Sequence, residues 1–318
     1  MTASAEAQPN IALVKYWGKR DVARNLPAVG SLSITLESLQ TRMTVDFDST
    51  DHDALQVNGR DAPDMLERIS RCLDLVAGND RPAAAVSSTG NFPIGAGLAS
   101  SASAFAALAV AANAAANAGH DRLALARIAG ASSGSAARSL YGGLVELSSD
   151  DRQIDLTQLA AADDWPLKVV VAITSEEAKP VGSGAAMIRS AETSPFYTTW
   201  VERQADDLLL AREAVANKDF AALGSVSEHN CLKMHSVMWS SKPPIVYWNN
   251  ATLACLETVR SLRADGQAVF FTIDAGPQVK AVCLPESVDA VIQALQETPG
   301  VVRTMTTGVG CGARLVDE

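Results

Sequence analysis

The segment PIGAGLASSA, Pro93–Ala102, is a turn of small residues that runs directly into an alanine-dominated helical pattern from Ser101 to Ala118. Small residues let a backbone approach a polyphosphate, and the first turn of a helix offers unpaired N–H groups and a partial positive charge. Gly95, Gly97, Leu98, Ala99, Ser100 and Ser101 are therefore candidates for a nucleotide cradle, with Ser100 or Ser101 donating to phosphate or resting on magnesium. No Lys follows the last Gly, so this is not a Walker A loop, and the spacing is not GxGxxG. Taken alone, an isolated turn of this kind is more often a well-capped helix packed through small residues. The helical stretch is interrupted by Ser103, Asn113 and Asn117, so it predicts a buried helix and not a membrane span.

Three further clusters keep company with that turn. Asn10–Lys19 (NIALVKYWGK) places Lys15, Tyr16 and Lys19 within five residues, a density suited to gripping phosphate. Ser132–Ser139 (SSGSAARS) repeats the small-residue turn and adds Arg138, whose planar fork suits a carboxylate or phosphate. Phe270–Pro277 (FFTIDAGP) ends an apolar strand pattern on Asp274 before a Gly-Pro turn, where either a reactive carboxylate or ordinary turn chemistry fits. The net charge of −10 argues against nucleic acid or an anionic membrane as partner, so any anion has to be held locally by such clusters.

A chain of 318 residues with 47% hydrophobic and 19% charged residues is globular and large enough for two domains sharing a cleft. Alternation predicts strands at 41–47 and 83–87, with others at 142–147 and 168–173; the acidic stretch between the last two reads as a loop. Asp121 is placed to cap a helix at Leu123 and Ala124. Helical patterns follow at 195–216, 220–238, 249–265 and 286–297, and strands at 268–274, 280–284 and 302–307. The expected division is 1–175 and 176–318, the second part having helices on an antiparallel sheet. Five scattered cysteines without CxxC spacing predict reduced, structural thiols. The start MTASAEAQPN lacks the basic and apolar regions of a signal peptide, which predicts a cytoplasmic protein. The four histidines show no ligand spacing and are read as structural, and no side chain is assigned to a metal.

Taken in order, NIALVKYWGK, SLSITL (Ser31–Leu36), PIGAGLASSASAFAAL (Pro93–Leu108), SGSAARSLYGG (Ser133–Gly143), ETSPFY (Glu192–Tyr197), MHSVM (Met234–Met238), PPIVYW (Pro243–Trp248) and TIDAGP (Thr272–Pro277) resemble the mevalonate diphosphate decarboxylases of the GHMP kinase superfamily. The resemblance spans nearly the whole chain. It implies an α+β, two-domain GHMP kinase fold, with an N-terminal domain like domain 2 of ribosomal protein S5 and a ferredoxin-like C-terminal domain. It also implies ATP and Mg2+ as cofactors and conversion of mevalonate 5-diphosphate to isopentenyl diphosphate with release of ADP, phosphate and carbon dioxide. On this resemblance Asp274 acts on the substrate 3-hydroxyl, Arg138 binds the substrate carboxylate with Asn10 orienting it, and Lys15 completes the catalytic set. Tyr16, Lys19, Ser133, Gly134 and Ser135 would face the substrate phosphates.

Two positions depart from the family pattern. Val29 and Gly30 precede SLSITL where a polar residue is common, and Ala191 stands where relatives often carry an arginine, leaving Arg189 as the nearest candidate for the terminal phosphate. That departure keeps a mevalonate 5-phosphate decarboxylase or a mevalonate 3-kinase as alternatives within the enzymes. A catalytically silent nucleotide-binding protein is the alternative outside them. Many members are homodimers, and nothing in the sequence decides for or against that assembly here.

Overall fold

A computed structural model describes residues 1–48, 50–92 and 100–317. Three main sheets organise the chain, accompanied by a small hairpin of Lys19–Asp21 with Leu26–Pro27. The first sheet runs in the order Arg314–Val316, Thr2–Ala7, Thr41–Phe47, Ala84–Gly90, Ala54–Val57 and Arg60–Asp61. In Thr41–Phe47 alternate residues are buried, the period-2 pattern of a strand with one face on a core.

That core is closed by three helices. Helix α1 (Pro63–Ala77) starts with Pro at its first turn, where the missing N–H costs nothing, and buries Ile69, Cys72, Leu73 and Val76 as one stripe. Helix α2 (Ser100–Ala115) is buried almost throughout, which explains its alanines: small side chains let it press against the first sheet and its neighbouring helices. Helix α3 (Arg122–Ser132) is capped by Asp121, whose carboxylate accepts from the Ala124 N–H at 2.7 Å. The short helix α4 (Ala136–Ser139) follows at once.

The second sheet has the order Ile154–Ala160, Leu144–Ser149, Ser31–Thr35, Asn10–Val14. Its first strand lies in the tract expected to be a loop. Ile154 is the only fully buried residue of that strand, so an edge position with polar residues facing out gives the sequence no hydrophobic alternation to read. The third sheet, Val269–Thr272, Val279–Cys283, Lys168–Ile173, Arg303–Thr307, is antiparallel throughout. Val169, Val171 and Ile173 point to a core shared with the second sheet, whereas Val170 and Ala172 face the helices on the other side.

Helices α5 (Ser183–Thr193), α6 (Tyr197–Ala216), α7 (Phe220–Trp239), α8 (Asn250–Ala264) and α9 (Val288–Glu297) complete the second half. The α+β expectation holds in both parts of the chain. Lys168–Ile173 is a central strand of the third sheet, so the line between the sheets falls ahead of Lys168. The tail beyond Thr307 also leaves the second half, because Arg314–Val316 pairs with Thr2–Ala7.

Candidate active site

A cleft of about 660 Å³ opens between the two halves. Asp274 enters it from the turn after strand Val269–Thr272, with 23% of its side chain exposed. Lys15 Nζ lies 2.8 Å from Asp274 Oδ1, and Lys280 Nζ lies 3.5 Å from Oδ2. Burial pushes the Asp274 carboxyl up, but the Lys15 and Lys280 ammoniums overcome it and hold the group down at about 2. Burial in turn lowers the Lys280 ammonium, which Asp274 partly offsets.

Lys15 owes its position to an irregularity. Register shifts between Ala12 and Val14 where Asn10–Val14 pairs with Ser31–Thr35. A bulge re-aims side chains and takes a carbonyl out of the ladder. The Ala12 carbonyl then accepts from Lys15 Nζ at 2.7 Å and from the Thr272 hydroxyl at 3.2 Å. Lys15 is left 1% exposed with its ammonium aimed at Asp274.

Arg138 is equally buried, on α4. Its Nη1 donates to the Ser31 hydroxyl and its Nε to Asn10 Oδ1 at 3.4 Å. The Asn10 amide is itself oriented, since Nδ2 donates to the Ser135 carbonyl at 3.0 Å and to Ser139 Oγ at 2.7 Å, leaving Oδ1 toward the guanidinium. Burial brings Arg138 down to about 10, with Tyr16 and Asp274 working against that shift. The Tyr16 ring lies 5.4 Å from Arg138 Cζ. Its hydroxyl is buried without a partner among the described residues, and burial pushes it up to about 12. Gly134 makes room for that ring: a Cβ there would stand 2.2 Å from the Tyr16 hydroxyl.

Ser133 donates to Ser101 Oγ at 3.2 Å, joining the turn before α4 to the first turn of α2, and Ser100 also faces the cleft. Gly95, Gly97, Leu98 and Ala99 lie outside the described residues. Lys19 lines the cleft, its ammonium lowered by burial and by Arg68. Asn10, Tyr16, Ser133, Gly134 and Ser135 line it too, together with Lys15, Arg138 and Asp274. Arg189 is not among the lining residues. It sits on α5, where its positive charge acts on Tyr247 instead.

Sequence reasoning missed three cations here. Lys280 is an isolated lysine in the apolar strand VKAVC, which was its one visible signal. Lys179 donates to Ser183 Oγ at 2.7 Å and to the Ala275 carbonyl at 3.3 Å, and burial lowers its ammonium. Arg68, from α1, donates to the Ser132 carbonyl at 3.1 Å and is lowered by burial. Lys19, Lys179 and Arg68 line the same cleft as the Ser100–Ser101 helix start, a donor set that fits polyphosphate. Among the described residues no three His, Cys, Asp or Glu side chains cluster to hold a metal. A magnesium ion accompanying ATP would therefore rest on phosphate oxygens, with Ser100 or Ser101 the nearest hydroxyls on offer.

The N-terminal part, residues 7–160, matches the family model of the diphosphomevalonate decarboxylase-like N-terminal domain, and residues 169–310 match that of the mevalonate 5-diphosphate decarboxylase C-terminal domain. The diphosphomevalonate decarboxylase of Candida albicans is 30% identical over 356 residues, which cover 100% of this chain and 98% of that protein. The crystal structure of mevalonate diphosphate decarboxylase from Staphylococcus aureus superposes with a TM-score of 0.93 at 34% identity, covering 99% of this chain and 98% of the other. A solved structure described as MDDEF in complex with MVAPP, AMPPCP and magnesium has a TM-score of 0.92 at 34% identity, covering 100% and 99%.

Proposed function

The chain belongs to the diphosphomevalonate decarboxylase family, and from that premise we propose how its cleft residues divide the work. The protein has the two-domain GHMP kinase fold and catalyses the ATP-dependent decarboxylation of mevalonate 5-diphosphate to isopentenyl diphosphate, with ADP, phosphate and carbon dioxide as the other products. We place the domain division between Ala160 and Lys168.

The observation that carries the assignment of roles is Asp274, an ionised carboxylate held between two buried ammoniums with Arg138 beside it. A tertiary hydroxyl leaves poorly, so phosphoryl transfer to the substrate 3-hydroxyl precedes its loss. A carboxylate held near 2 is a weak base at neutral pH but a strong hydrogen-bond acceptor. Asp274 accordingly orients the hydroxyl toward the γ-phosphoryl group and takes its proton late, as a loose transition state allows. Magnesium supplies charge neutralisation on the phosphate oxygens when bound. Lys19, Lys179, Arg68 and the first turn of α2 hold the polyphosphates, and Ser133, Gly134, Ser135 and Tyr16 line the substrate side.

Departure of the 3-phosphate leaves electron deficiency at C3. The C1–C2 bond then breaks, its electron pair forms the C2–C3 double bond, and C1 leaves as carbon dioxide. Asn10 and Ser31 occupy Nε and Nη1 of Arg138, so Nη2 is the edge presented to that carboxylate. Four buried free cysteines support a reducing, cytoplasmic setting. A homodimer is the assembly we propose by family likeness, to be checked by light scattering.

The test is stoichiometry. Purified protein with Mg-ATP should release one ADP and one carbon dioxide per mevalonate 5-diphosphate, and Asp274→Ala should release neither while still binding ATP. Preference for mevalonate 5-phosphate would change the substrate, ADP without carbon dioxide would leave a 3-kinase, and no product would leave a silent nucleotide binder.

A further inference from the structure

Lys15 is the residue after strand Asn10–Val14, so its backbone N–H and C=O have left the sheet ladder at a place closed to water. Both groups are taken up by the α6–α7 pair. Asn230 Oδ1, on α7, accepts from the Lys15 N–H at 2.7 Å, and Gln204 Nε2, on α6, donates to the Lys15 carbonyl at 2.7 Å and to the Gly30 carbonyl at 3.2 Å. The two amides bond to each other, Asn230 Nδ2 to Gln204 Oε1 at 2.9 Å. Asn230 Nδ2 also donates to Asp207 Oδ2 at 2.5 Å, and Lys233 pairs with that same carboxylate. Gln204 is 1% exposed and Asn230 0%.

The orientation of each amide is dictated by its partners. A backbone N–H can only donate, so it must meet Asn230 Oδ1, and backbone carbonyls can only accept, so they must meet Gln204 Nε2. Asp207 accepts from the remaining Asn230 donor and prevents the flipped arrangement, while Lys233, partly exposed, supplies the counter-charge from the surface side. No member of this chain except Lys15 lines the cleft. Two of the four side chains satisfy the backbone groups of Lys15 and Gly30; the other two, Asp207 and Lys233, are not needed for that and serve only to hold the amides in place.

We propose that Gln204 and Asn230 are positioning residues for the reaction, gripping both backbone groups of Lys15 so that its ammonium stays aimed at Asp274. Asp207 and Lys233 are the outer anchors of the grip. The relation spans the two halves of the chain: Lys15 comes from the second sheet, whereas its grips and its target, Asp274, come from the second half. Their mutual placement is therefore fixed by α6 and α7, independently of the nucleotide side of the cleft. This rests on the reading of Lys15 and Asp274 as catalytic, given above.

Gln204→Glu keeps the size of the side chain but faces the Lys15 and Gly30 carbonyls with an oxygen. Its kcat should fall about 10- to 100-fold, the cost of a misplacement on the order of 1 Å, while KM for Mg-ATP stays within about 3-fold of wild type on the same ground. The groups acting on or through Asp274 are Lys15, Lys280, Arg138, Lys179, Cys231 and His235. Only Lys15 is displaced by the substitution, so the acidic limb of kcat/KM for mevalonate 5-diphosphate should move to higher pH. Lys233→Met, at the surface end and 25% exposed, should fold like wild type and show a smaller change in the same two readouts.

Lys15→Met measured alongside separates the proposal from its premise. Unchanged turnover in Lys15→Met overturns the catalytic reading and the grip with it. Lost turnover in Lys15→Met, with wild-type kcat and acidic limb in Gln204→Glu and Lys233→Met, overturns the grip alone. A fall in kcat matched by a rise in KM for Mg-ATP, with the limb unmoved, means general loosening and also overturns it.

Discussion

Lys280 and Asp274 face each other across the end of one strand pair, the ammonium 3.5 Å from Oδ2, on the side of the carboxylate that Lys15 leaves open. Lys280 is opposite Thr272 in the ladder, so the register of Val269–Thr272 with Val279–Cys283 sets the face from which its side chain leaves the sheet. One carboxylate thus has two counter-ions, and substitution separates what each does.

Lys280→Met should raise the Asp274 pKa, because one of the two charges that lower it is gone. The sign follows from linkage. A carboxyl whose folded pKa lies below the unfolded 3.8 contributes stability that is complete above 3.8 and lost as pH falls toward 2. With a smaller depression less stability is lost across that window, so the fall in unfolding free energy between neutral pH and about pH 3, followed by circular dichroism in denaturant, should be smaller in the variant. An identical fall would remove Lys280 from the account.

Asp274→Asn should cost turnover by about 10²- to 10⁴-fold, the span of a positioned proton-handling group, while ATP affinity by calorimetry stays close to wild type. It also leaves Lys15 and Lys280 buried without their counter-charge, a loss of roughly 3–5 kcal/mol when one partner of a buried pair is removed. Adding Lys280→Met should recover part of the thermal stability and none of the activity. Recovery of turnover in the double variant would show that Asp274 serves structure alone.

Arg138→Lys keeps the charge and discards the planar fork. A lysine cannot satisfy Ser31 and Asn10 and still present an edge to a carboxylate, so carbon dioxide release should fall by at least about 10-fold with little change in nucleotide affinity. Quantifying ADP and carbon dioxide in single turnovers is the measurement; a parallel loss of ATP binding contradicts the assignment.

Gly134→Ala would put a methyl group 2.2 Å from the Tyr16 hydroxyl and 2.6 Å from Tyr16 Cζ. The ring has to move, and with it the face presented to Arg138. We expect KM for mevalonate 5-diphosphate to rise or kcat to fall by about 10-fold or more, with the melting temperature little changed. Wild-type kinetics would show that Tyr16 does not need its present place.

The long helices of the second half were legible because their apolar positions recur with helical period over four or five turns, and Asp121 and the strand Thr41–Phe47 carried clear local signals. The strand Ile154–Ala160 was not legible, since an outward-facing edge strand has the composition of a loop. Lys280, whose one signal was its isolation in an apolar strand, and Arg68 were missed as site residues for a different reason. A single cation in a strand or on a helix is ordinarily solvated, and only tertiary contact buries it against a carboxylate or beside another cation. Asn10, Lys15, Arg138 and Asp274 could be read because each sits in a dense local motif. The Gln204–Asn230 pair could not, being two neutral amides whose meaning comes from the helix packing that brings them together.

The strand Arg314–Val316 zips onto Thr2–Ala7, so one edge of the first sheet is closed by residues that are synthesised after the whole second half. Most of that sheet can assemble while the ribosome is still translating the second half, but Thr2–Ala7 keeps an open edge until Arg314–Val316 arrives. Until then, the growing chain exposes a row of unpaired backbone groups to any strand that arrives first, including the same strand of a neighbour on the same messenger RNA.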